Sequence, residues 1–200
     1  MSPLAADILD FWYGPPPHAA RDAWFRKDAA FDAAIRARFG MAVEAAVDPT
    51  VDANEGSGYA DWTAHPRGAL ALILLLDQFT RNVFRDTPRA FAGDARALAT
   101  AAAVVDAGMD RGLDHRLDGY ERWFLYMPFE HSEDAAMQQR SLALFARLRD
   151  DTGLAAPLEW AARHAAVVRR FGRYPHRNAI LGRASTPEEV AFLAGPESRF

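Results

Sequence analysis

Three polar segments carry the residue types from which a site could be built. The first is Asp77-Gln78-Phe79-Thr80-Arg81-Asn82-Val83-Phe84-Arg85, at the end of the most apolar stretch of the chain. Asp77 and Arg81 are four apart and fall on one helical face, where they can pair. Such a pair reads either as a structural ion pair with Asn82 capping the helix, or as part of a ligand site. The second segment is Met127-Pro128-Phe129-Glu130-His131-Ser132-Glu133. His131 and Glu133 at a two-residue step could share a metal or act as a base and its orienter. Ser132 and Glu133 starting a new helix, with His131 closing the previous apolar stripe, account for the same residues.

The third segment, Arg170-Phe171-Gly172-Arg173-Tyr174-Pro175-His176-Arg177-Asn178, is the densest in polar groups. From Trp160 to Pro187 there are six arginines and two histidines without one carboxylate, in a chain whose formal charge is −4. Arginine forks hold phosphate or carboxylate oxygens at two points, so this asymmetry suits an anion. Arginines near a helix C-terminus also complement its dipole, and Asp77, Glu130 or Glu133 could neutralise them in an internal network. Among the remaining histidines, His18, His65 and His115 fall in expected loops and are read as exposed. His164 lies on an apolar stripe and is read as a satisfied core histidine.

Elsewhere the sequence excludes more than it specifies. The chain has no cysteine, so disulfides, thiolate nucleophiles and Cys-ligated zinc are ruled out. No His-Glu-x-x-His, Gly-x-Ser-x-Gly or glycine-rich phosphate loop is present. A net negative chain in which only Phe171 and Tyr174 interleave with the basic cluster gives no basis for nucleic-acid binding. The longest apolar run, Gly68 to Leu76, is less than half the ~20 residues of a membrane span, and the start lacks a basic leader. A cytoplasmic protein is expected, with no cofactor and no metal.

The elements that must position these residues are helices. The 41 alanines outnumber the 20 Val, Ile and Thr residues two to one, and alanine is the best helix former. Periodicity and breakers predict helices over Leu4 to Trp12, Asp22 to Val47, a central one after Pro66, Arg89 to Gly108, and one through Tyr120 that kinks or ends at Pro128. Further helices are expected after a Ser132 cap, over the Trp160 to Phe171 stripe, and from the Thr186-Pro187-Glu189 capping box just before Val190, Phe192 and Leu193. Residues 48 to 58 read as a loop. At this length one domain over residues 1–200 is expected, all-α and built of antiparallel helix pairs, although no 34-residue tetratricopeptide period is visible.

Together with Asp10-Phe11-Trp12 at the start and the stretch from Leu181 to Leu193 at the end, the three segments resemble, in order, the bacterial domain-of-unknown-function family number 924. The resemblance spans nearly the whole chain. It implies an all-α, tetratricopeptide-like array and no assigned activity. It also implies that Asp77, Arg81, Asn82, His131, Glu133, Arg173, His176, Arg177 and Asn178 form one signature that converges in space. This chain departs from the family at Thr80, where proline is usual, so the central helix is expected to run further.

The resulting expectation is a polar pocket that binds a small anionic ligand through Arg81, Arg173 and Arg177, oriented by Tyr174, Asn82 and Asn178. Two alternatives stand beside it. One is a hydrolase or lyase using His131 or His176 with Glu133, with or without a metal. The other is a scaffold for a protein partner.

Overall fold

A computed structural model describes residues 1–48, 59–111 and 117–198, so residues 49–58 of the expected loop, and His115, lie outside the described residues. Among the described residues every regular element is helical and none is a strand, in keeping with the alanine-rich composition. No described helix is long and apolar enough to cross a membrane. Within the chain length that predicts one domain, the residues form two compact units: Met1–Arg85 with Arg89–Pro128, and Asp86–Pro88 with Phe129–Phe200.

The first unit is organised by the apolar stretch after Pro66. Pro66 occupies the first turn of α4 (Pro66–Ile73), where its missing N–H costs nothing. The chain continues as a π-wound segment, Leu74–Phe79, and then α5 (Thr80–Val83). Thr80 allows that continuation, and its hydroxyl donates to the Leu76 carbonyl at 2.8 Å. All residues from Gly68 to Thr80 are buried, the fate of a helix with no polar face. Around it pack α1 (Pro3–Tyr13), α2 (Ala29–Val47) and α6 (Asp94–Asp106), while the four-residue α3 (Ala60–Thr63) lies against α4. Trp12 joins the layers, its ring 5.4 Å from Phe79 and 5.3 Å from Phe124.

Two helix starts differ from the sequence reading. The expected helix from Asp22 begins only at Ala29, because the Asp28 carboxylate accepts the Ala30 and Phe31 amides and caps α2 there. The preceding Asp22–Trp24 is a single 3₁₀ turn. Likewise the expected helix from Arg89 is divided at Gly93 into a 3₁₀ turn, Pro88–Phe91, and α6.

The helix α7 (Gly119–His131) continues through Pro128, with residues to Pro128 in the first unit and Phe129 onward in the second. The second unit then holds α8 (Ala135–Thr152) and α9 (Ala156–Phe171), joined as a close helical hairpin, and α10 (Pro187–Ala194). Gly153 and Gly172, at φ 79° and 69°, end α8 and α9 where the sequence places their stops. The cap of α8 is Asp134 instead of Ser132: its carboxylate accepts the Ala136 and Met137 amides, leaving Glu133 outside the helix for another use. In α10 the capping box forms as read; of the apolar residues that follow it Phe192 is buried, while Val190 and Leu193 are exposed.

Close approach at Gly93 gives a test of the first unit. A Cβ there would sit 2.2 Å from the Leu76 carbonyl oxygen, a backbone atom that cannot swing aside. Gly93→Ala is expected to destabilise by about 1–3 kcal/mol, the range for forced overpacking, as a lowered urea midpoint. An unchanged midpoint would contradict this packing.

Candidate functional site

The residues singled out in the sequence fall into two sets, one in each unit. In the first unit Asp77 is fully buried and Arg81 lies between two carboxylates. The Arg81 guanidinium is 3.4 Å from Asp77 and donates to both Asp94 oxygens at 3.0 and 3.3 Å, and also to the Asp77 carbonyl. Burial opposes its charge, but Asp77 and Asp94 outweigh that and hold its pKa above the ordinary value. Asn82 is not a cap: its amide donates to Asp32 at 2.8 Å, beside the two-point contact of Arg85 on the same carboxylate.

In the second unit the candidates gather around the buried Tyr174. The Tyr174 hydroxyl donates to the Glu130 carbonyl, and the side-chain amide of Gln138 lies 2.9 Å from it. Arg177 stacks over the Tyr174 ring at 4.7 Å and donates to the His131 carbonyl at 3.0 Å. The His176 ring centroid is 5.4 Å from that of Tyr174. Glu133 accepts the Tyr174 amide at 2.8 Å and takes both arms of Arg183 at 2.7 and 2.9 Å. Burial raises the Glu133 pKa, but those donors overcome it and hold the carboxyl below its usual range. Glu133 is therefore ionised and engaged, which suits a strut better than a proton acceptor. Arg173 grips Glu189 at 2.6 and 2.8 Å, and Asn178 joins that carboxylate to Ser185. The two Arg173 bonds, then the Thr186 amide, pull the Glu189 pKa down to about 2.

The arginines expected to hold an anion thus already hold carboxylates or carbonyls. Among the described residues, no group of three His, Asp or Glu side chains within reach of one ion includes His131, Glu133 or His176.

A different feature of the second unit was not legible as a site. A cavity of about 490 Å³ lies between α9 and α10, lined by Arg163, Ala166, Val167, Arg170, Phe171 and Phe192. Arg163 stacks on Trp160, and Arg170 on Phe171 at 4.8 Å. Arg170 also pairs with Glu188, but both side chains are about half exposed or more, so the pair contributes at most about 1 kcal/mol. The seven-residue step from Arg163 to Arg170 was the available signal, since it places both on one face of α9. Its apolar floor depends on Phe192 from another helix.

A bacterial family described as protein of unknown function, DUF924, matches residues 8–197. The chain belongs to this family. The matched span includes all three polar segments and agrees with the resemblance read from them. A solved structure, that of the protein of unknown function ATU0120 from Agrobacterium tumefaciens, is 41% identical and superposes with a TM-score of 0.76, covering 95% of this chain and 96% of that one. No curated protein matches the chain. Membership in DUF924 therefore carries the fold and leaves activity to be argued from geometry.

His164 gives the pH test. Its Nδ1 is 2.9 Å from the Trp160 carbonyl and 3.2 Å from Glu130, yet burial, and then the charge of His131, push its pKa down to about 3. The folded value lies below the unfolded one, so as pH falls through about 6.5 the unfolded chain takes the proton first. Stability should fall by up to ~1.4 kcal/mol per pH unit between about pH 6.5 and 3. NMR titration should find the His164 ring neutral at pH 5; a midpoint near 6.5 would contradict this.

Proposed function

We propose that this DUF924 protein binds a small anionic molecule with an apolar or aromatic body, in the cavity between α9 and α10. The observation that carries the reading is the pair Arg163 and Arg170 above a floor of Phe171 and Phe192. Among the described residues Arg163 has no carboxylate partner, and the exposed Glu188 gives way cheaply to a ligand anion at Arg170. Arg81 and Arg173 are poorer candidates, because an anion would have to displace the buried Asp77 and Glu189 carboxylates. The cavity volume lies within the usual range for small-molecule sites.

Two other readings have less support. Catalysis by His131 or His176 with Glu133 would require a carboxylate that Arg183 has already engaged. A protein partner is favoured by one observation, the exposed Val190 and Leu193 on α10. In that case the apolar edge, and not the arginine pair, would dominate binding.

Phenyl phosphate and uncharged benzyl alcohol distinguish these readings by calorimetry. The anion should bind and the alcohol should not. Arg163→Ala should weaken phenyl phosphate by roughly tenfold to a hundredfold, the equivalent of one charged hydrogen bond. Equal binding of the alcohol, or an unchanged affinity in the variant, would contradict the proposal.

A further inference from the structure

Away from that cavity, in the first unit, two carboxylates and an imidazole converge. Asp118 and Glu121 form a reciprocal cap at the start of α7. Asp118 Oδ1 accepts the Tyr120 and Glu121 amides, each at 2.9 Å, and Glu121 Oε2 accepts the Asp118 amide at 3.0 Å. That cap uses one oxygen of each carboxylate and fixes where the other lies. Asp118 Oδ2 is 2.6 Å from His18 Nδ1, and Glu121 Oε1 is 3.1 Å from Arg67. One ligand atom from each of His18, Asp118 and Glu121 lies within 4.8 Å of the other two.

His18 is not the exposed loop histidine that its position suggests; its side chain is only 6% exposed. The loop is tied back to the last turn of α1, where Arg21 donates to the Phe11 and Trp12 carbonyls and the Trp24 indole to Trp12. Tyr13 stacks on the imidazole, with ring centroids 5.0 Å apart.

A helix cap explains one oxygen of each acid, but it leaves two observations unexplained. The His18–Asp118 approach is shorter than an ordinary N–H···O bond, yet His18 Nδ1 has no partner in hydrogen-bonding geometry. An imidazole nitrogen and a carboxylate oxygen that share no hydrogen bond each keep a lone pair for an ion. Second, Tyr13 is 97% buried and its hydroxyl has no hydrogen-bond partner. The Tyr13 ring lies against His18 of this same group. A buried hydroxyl without a partner costs about 1–3 kcal/mol, so it marks a place where another polar species belongs.

We propose that His18, Asp118 and Glu121 bind a divalent transition-metal ion, zinc or manganese in class, with Tyr13 beside its open position. One imidazole and two carboxylates suit those ions better than softer or all-oxygen chemistry. Three protein ligands leave a position for water or a small oxygen ligand, and the Tyr13 hydroxyl would find its partner there. Arg67 opposes the ion with one positive charge, but the two carboxylates outweigh it. The set spans a hundred residues of sequence, so no local motif announces it.

Chelator-treated full-length protein, titrated with Zn²⁺ and Mn²⁺ by calorimetry and with Co²⁺ by visible absorbance, tests the assignment. Wild type should take up one equivalent. His18→Ala, which leaves the α7 cap intact, should bind at least roughly 100-fold more weakly, the upper end of what even outer partners of a metal contribute. Tyr13→Phe should keep the stoichiometry and change the Co²⁺ spectrum. No saturable uptake by wild type, or equal affinity in His18→Ala, would overturn the proposal and leave a structural His18–Asp118 ion pair. Should His18→Ala fail to fold, Mn²⁺ added to wild type decides. NMR signals of Tyr13, His18 and Glu121 should broaden first, and broadening elsewhere or nowhere would overturn the assignment.

Discussion

A carboxylate buried in an apolar helix must be neutralised, and much of the first unit follows from how Asp77 is. The stretch from Gly68 to Thr80 has no polar face, so any charge on it enters the core. Asp77 does so within the π-wound segment and finds Arg81 one turn on. Arg81 then needs more than one carboxylate to hold its own charge against burial, and Asp94, the first residue of α6, supplies it. The ion network thereby sets where α6 begins against the central stretch, alongside the close approach of Gly93 to Leu76. Such networks are expensive to leave half-made.

The second unit repeats this logic with its arginines. Within residues 160 to 187 the basic excess looks like an open anion site. The compensating acids lie outside that window: Glu133 before α8, and Glu188 and Glu189 in the first turn of α10. Glu188 and Glu189 also sit where a helix dipole favours negative charge. What distinguishes the arginines is how firmly each is held. Arg173 and Arg183 close on partly or fully buried carboxylates, whereas Arg163 and Arg170 remain at the surface of a cavity.

Local signals were legible and long-range ones were not. The all-α class, the Gly153 and Gly172 stops and the Thr186–Glu189 box depend on neighbours within a few residues, and they could be read directly. The cap of α8 was misplaced by two residues because Ser132 and Asp134 are both good caps. The choice fell to Asp134 once Glu133 was drawn to Arg183, fifty residues away. The break at Asp28 was hidden by an apolar spacing that continued across it. In the candidate site, the pairing of Asp77 with Arg81 was visible as an i, i+4 step, while Asp94 and the burial of His18 were not. Each of those depends on where a different helix lies.

Asp77 and Arg81 hold the first unit as a coupled pair. A double-mutant cycle on Arg81→Met and Asp77→Leu, read by urea unfolding, tests it most directly. Arg81→Met alone should lose about 3–5 kcal/mol, because it strands a buried carboxylate. Adding Asp77→Leu should recover at least about 1 kcal/mol, a coupling well outside additivity. Losses that simply add would contradict the account and return Asp77 and Arg81 to the list of groups available for a ligand.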